Sequence, residues 1–79
     1  MCDKYGYYLG DLGFLLLERA VEAKQQMEAT KGTEGEAFEA GRSLAYYEVV
    51  SLMLSQAMTF EIPAADLRME GVDPDRDFA

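Results

Sequence analysis

Ser43–Met58, SLAYYEVVSLMLSQAM, decides how this chain is read. At 3.6 residues per turn it is a helix that is apolar around most of its circumference. One narrow polar strip interrupts it: Glu48, Ser51 and Ser55 fall at i, i+3 and i+7 and share a side. A helix with a single neighbour needs one apolar stripe, whereas this one needs cover from two or three directions. The chain has only 79 residues, and at 49% hydrophobic it is too apolar to remain disordered. A lone pair of helices leaves most of each cylinder in water, while ordering costs roughly 1.5 kcal/mol per residue. In so short a chain the pattern predicts a second copy of the protein.

Punctuation upstream of this stretch is clear. Lys31 and Gly32 read as the last turn and C′ position of a preceding helix, because glycine tolerates the left-handed conformation there. Thr33-Glu34-Gly35-Glu36 fits a capping box, with Thr33 as N-cap and Glu36 reaching back to it. Two long helices joined by so tight a turn form an antiparallel hairpin. The first is predicted over about 4–31 and the second over about 34–61, the latter about 42 Å long at 1.5 Å per residue.

Helix 1 carries a stripe at Tyr5, Leu9, Leu12, Leu16, Ala20, Ala23 and Met27, with Asp3 as its N-cap. Gly6, Gly10 and Gly13 share one side of it. Each costs about 1 kcal/mol relative to alanine. Either another backbone comes close there, with Tyr46, Tyr47, Met58 or Phe60 lying across the groove, or the entry is frayed up to Asp11. Helix 2 offers two apolar rows, Phe38-Gly41-Ala45-Val49-Leu52-Phe60 and Ala37-Ala40-Leu44-Tyr47-Leu54-Met58. Glu36, Glu39 and Arg42 are expected to face water, which places the dense contact toward Val49–Phe60.

Pro63 ends helix 2 and steers Ile62 to an extended conformation. Residues 64–67 suit one further turn, and Gly71, Asp73 and Pro74 mark a loop. Leu67, Met69, Val72 and Phe78 are spaced irregularly, as in a tail (63–79) pinned across the hairpin by isolated anchors.

Composition removes several kinds of chemistry. Without histidine there is no His-containing triad, no imidazole acid–base step and no usual zinc or di-iron helical site. Glu18 with Glu22, and Glu36 with Glu39, are carboxylate pairs expected on a wet surface, where nothing separates their proton affinities. Asp73, Asp75 and Asp77 take the first, third and fifth positions of a calcium-type loop, but Phe78 stands where glycine is needed. No catalytic residue, cofactor or metal is predicted, and no enzyme.

A net charge of −8 and a pI near 4.3 disfavour nucleic-acid backbones and anionic membranes. From Glu61 onward six acids stand against Arg68 and Arg76, a solubility feature or a docking strip for a basic partner. Cys2 is the lone cysteine, so an intramolecular disulfide is impossible and an intracellular setting is expected. No secretory signal is evident, and the apolar runs are too short to span a bilayer. These features predict a soluble, cytoplasmic protein.

The string Gly41–Met53, GRSLAYYEVVSLM, with Gln56, Phe60, Ile62-Pro63 and Asp73-Pro74-Asp75, resembles a group of small, uncharacterised bacterial helical-hairpin proteins. The likeness covers the second half of the chain and implies no activity. In architecture the hairpin is similar to plasmid-type helical-hairpin dimers that bind RNA, a function the acidity here opposes.

Together these readings predict an all-α protein: two long antiparallel helices and a short acidic C-terminal tail, dimerising into a four-helix bundle. The predicted interface is Tyr5, Leu9, Leu12 and Leu16 from helix 1, with Phe38, Tyr46, Tyr47, Val49, Leu52, Met53, Leu54, Met58 and Phe60 from helix 2. The expected role is a small adaptor, regulator or scaffold acting as a homodimer. The alternative is an acidic, nucleic-acid-mimicking inhibitor from a mobile element, with a basic protein as its target.

Overall fold

A computed structural model describes residues 3–79, so Cys2 lies outside the described residues. The element order is α1 (Lys4–Ala29), α2 (Glu36–Thr59), a 3₁₀ turn (Ala64–Leu67) and α3 (Pro74–Asp77), with no strand among the described residues. None of these helices is long and apolar enough to cross a membrane.

Helix α1 begins where the first stripe predicts. The Asp3 carboxylate accepts from the Gly6 amide at 2.9 Å, capping one of the four amides that lack an intrahelical partner. The three glycines therefore lie inside α1 rather than in a frayed entry. Both long helices are shorter than predicted at the turn. Helix α1 stops at Ala29, where the Thr30 hydroxyl donates to the Gln26 carbonyl at 2.8 Å. Gly32 is left-handed, as expected. The cap of α2, however, is Gly35 and not Thr33. Thr33 turns back instead, donating its hydroxyl to the Thr30 carbonyl, and Glu36 accepts from the Gly32 amide at 2.6 Å. The reciprocal box is replaced by a six-residue loop in which both side chains bond groups of the loop itself, Thr33 also accepting from the Gly35 amide at 3.3 Å.

Helices α1 and α2 run antiparallel: Arg42 approaches Glu22 at the turn end, and Leu9 meets Gln56 and Phe60 at the open end. Their buried positions are mostly small residues. Gly10, Gly13, Ala20 and Ala23 are the buried positions of α1, and Ser43, Val50 and Ala57, seven apart, are those of α2. Neither apolar row predicted for α2 is this row. Small side chains let two helix axes approach closely, and the large ones are thereby displaced to the flanks. Glu39 and Arg42 also depart from the expected wet face: they are half-buried and paired at 3.0 Å.

The tail completes the core. Leu67, Met69 and Phe78 join Ala20, Val50 and Ala57 in one buried cluster, and Met69 is fully enclosed. Helix α2 ends at Thr59, two residues before the predicted end. Glu61 turns left-handed, and the Ile62 amide donates to the Ala57 carbonyl at 2.7 Å, reversing the chain onto the hairpin. The 3₁₀ turn then lies on α1. A Cβ built on Gly13 would overlap the Leu67 carbonyl oxygen, so only glycine allows this approach. The close neighbour of the glycine side is thus the tail's own backbone, not Tyr46, Tyr47, Met58 or Phe60.

Candidate interaction surface

The predicted interface residues fall into two groups once the tail is in place. Tyr47 and Leu54 belong to the tail-covered side. The Tyr47 hydroxyl donates to Asp75, and Leu54 packs against the core beside Val72 and Pro74. Met58 lines the same tail-side cleft but is largely exposed. Tyr46 is half-buried against the core, and Phe38 stands exposed near the turn, away from the open end. These five do not form one surface with the rest.

The other eight do form one. Leu9, Leu12 and Leu16 (i, i+3, i+7) are half-buried along α1. Val49, Leu52, Met53 and Phe60 follow the same helical register on α2, with Leu52 62% and Phe60 68% exposed. Tyr5, 69% exposed, extends the α1 row to the open end. Between the two rows runs a groove of about 340 Å³ lined by Leu9, Leu52, Met53, Gln56, Ala57, Phe60, Ile62 and Leu67. Ala57 and Leu67 are buried and form its floor, while Leu52 and Phe60 rise as its rim. No lining side chain is ionisable. From Val49 to Phe60 the sequence carries no charge at all, in a chain of net charge −8.

Sequence reading missed Ile62, just beyond α2, and Leu67, which the tail contributes. It assigned Leu67 as an anchor, and its spacing from α2 gave no sign that it also lines a groove. Tyr5, Tyr7 and Tyr8 are all exposed on the first turns of α1.

Acidic side chains of the tail are engaged locally. Asp73 caps α3 by accepting from the Asp75 amide at 3.1 Å. Asp77 pairs with Arg76 at 2.8 Å and accepts from the Asp73 amide, and these contacts hold its carboxyl below the ordinary value. The hydrogen bond to Asp75 raises the phenol of Tyr47 above its ordinary value. The three aspartates of the calcium-like string thus serve different backbone and side-chain partners. Among the described residues, no group of three or more acids, cysteines or histidines is placed to hold a metal ion.

Fold and surface together define a class: a small helical hairpin closed on one face by its own tail and open on the other. Comparison with known protein families, curated proteins and solved structures gives no match to this chain.

Proposed function

We propose that this protein is a small, non-enzymatic protein–protein interaction module that acts as a homodimer, pairing through the open face into a four-helix bundle. The observation that carries the proposal is the uncharged double row of Leu9, Leu12, Leu16, Val49, Leu52, Met53 and Phe60, in which Val49, Leu52 and Phe60 stand exposed and the others are half-buried. Contiguous apolar surface of this kind is rare on soluble monomers and marks interaction sites.

Area supports the same reading. Surface–mass scaling gives a compact 8.8 kDa monomer roughly 4,800 Å² of accessible surface, against 5495 Å² here. The excess, on the order of 700 Å², is close to the roughly 800 Å² that each partner contributes to a standard interface. The shape, 46 × 21 × 16 Å, is a slab with broad sides.

Charge selects the occupant. Two chains of −8 repel one another, and meeting through a neutral face keeps their carboxylates apart. A basic partner would find no carboxylate lining this groove. The alternative reading, capture of a basic protein by an acidic surface, has less support, because Asp73, Asp75 and Asp77 are occupied in holding the tail.

Sedimentation equilibrium over a micromolar concentration series tests the proposal. A mass of twice 8.8 kDa, falling to the single-chain mass on dilution and in Leu52→Asp, is expected. A wild-type chain that stays at the single mass throughout would refute it.

A further inference from the structure

We infer that the tail is a working part of the interaction site: Gly13, by seating the 3₁₀ turn, places Leu67 as the groove floor, so that tail docking and occupation of the groove are coupled. The inference rests on the proposed self-association and adds a regulating element to it.

Leu67 carries the argument because it touches both structures at once. Its backbone carbonyl rests on Gly13, where an added Cβ would stand 2.9 Å from the carbonyl carbon. Its side chain, 2% exposed, lines the groove with Leu9, Met53 and Phe60. The segment that presents it is pinned at both ends. At entry, left-handed Glu61 reverses the chain, and the Ile62 amide bonds the Ala57 carbonyl at 2.7 Å. At exit, left-handed Arg68 donates its amide to the Ala65 carbonyl at 3.0 Å and places its guanidinium 4.4 Å from the Phe14 ring centre. Met69, fully buried, locks the far side.

A groove built this way has its rim on α2, Leu9 of α1 in its wall, and a floor shared by Ala57 of α2 and Leu67 of the tail. Releasing the tail removes the Leu67 half of the floor and leaves the hollow incomplete. A partner that fills the groove therefore binds the tail-docked state better than the tail-released one. Binding and docking are linked reciprocally: occupation of the groove strengthens the tail's hold by the factor that docking strengthens binding.

The experiment uses the full chain carrying methyl-labelled methionine. Met69 reports the tail, Met53 the groove, and sedimentation the self-association. In Gly13→Ala, the Met69 methyl resonance should move toward the free-methionine position, the Met53 methyl should move with it, and association should weaken roughly tenfold or more. Gly10→Ala is the control, since its Cβ would sit 3.4 Å from the Asp66 carbonyl oxygen, and all three readouts should stay near wild type. Should Gly13→Ala fail to fold, Leu67→Ala keeps the glycine seat. It should then shift Met53 and weaken association while Met69 stays put.

Movement of Met69 with Met53 and association unchanged or tighter would overturn the inference. So would a Met69 resonance indifferent to Gly13→Ala. A wild-type chain that is a monomer defeats the self-association reading alone, because the Met69–Met53 coupling is still read within one chain.

Discussion

The two broad faces of this hairpin are built from similar residues and end in different states. On one, Gly10, Gly13, Tyr47 and Leu54 receive the tail, and the interlayer contains Met69 and Phe78 with almost no access to water. On the other, the row of Leu9, Leu12, Leu16, Val49, Leu52, Met53 and Phe60 meets the chain again only through Ile62 and Leu67 in the groove, and Val49, Leu52 and Phe60 stay exposed. The difference lies less in hydrophobicity than in which face the tail crosses. The anchors of residues 63–79 cover one face of a slab about 46 Å long.

The largest break in that comparison comes from the covered face. Met69→Ala should destabilise the single chain by about 2–5 kcal/mol, the range for emptying a fully buried site. Leu52→Ala should change single-chain stability by well under half of that, since the side chain already meets water. Urea melts of both variants at a concentration low enough to exclude association make the test. Equal losses would mean that the faces are not different in kind.

Leu52→Asp sharpens the contrast from the open side. Burying an unpaired carboxylate in a dry interface costs several kcal/mol, so association should fall by about 100-fold or more. Helical circular dichroism at high dilution should match wild type. Unfolding of the diluted variant would show that Leu52 belongs to the core after all.

A smaller effect is expected at Gly41. It is exposed on α2, and a Cβ added there would meet nothing within 4 Å, so Gly41→Ala should stabilise the chain by up to about 1 kcal/mol through helix propensity alone. A loss on thermal melting would imply that something packs closely there.

The smallest expected effect is the pH response of the tail. Asp77 has a lowered value, so its contribution is present above the ordinary carboxyl value near 3.8 and is lost as pH falls through the lower folded value. Tyr47 has a raised value. Its contribution is present below the ordinary phenol value of 10.0 and is lost as pH rises through the higher folded value. Hydrogen-exchange protection of the Phe78 amide, which donates to the Pro74 carbonyl at 2.8 Å, should therefore be flat from about pH 4 to 10, once corrected for intrinsic exchange, and fall only outside that window. Tyr47→Phe should remove the alkaline limb. An alkaline limb unchanged by Tyr47→Phe would assign it elsewhere.

Much of the architecture was legible because it rests on local rules. Asp3 as a cap, left-handed Gly32, the break near Pro63 and the four tail anchors each follow from one residue type at one position. The seam between α1 and α2 was not. Ser43, Val50 and Ala57 carry little hydrophobic signal, and a search for large apolar rows passes over them in favour of the rows they displace. Their spacing of seven, with Ala20 and Ala23 buried on α1, was the available sign. The capping box failed because Thr33 and Glu36 are drawn into the loop, Thr33 bonding the Thr30 carbonyl and the Gly35 amide and Glu36 the Gly32 amide. Of the candidate groove, the rows on α1 and α2 follow from register, whereas Leu67 in its floor depends on a chain reversal at Glu61 that periodicity does not encode.

The central claim is that a second copy covers the face the tail leaves open. An isotope-filtered NOE experiment on a mixed sample, one copy labelled with ¹³C and ¹⁵N and the other unlabelled, tests it directly. Intermolecular cross-peaks are predicted at the methyls of Leu9, Leu52 and Met53 and the ring of Phe60, with none at Leu54 or Val72. Cross-peaks confined to the tail side, or absent at concentrations where the labelled chain is fully folded, would contradict it.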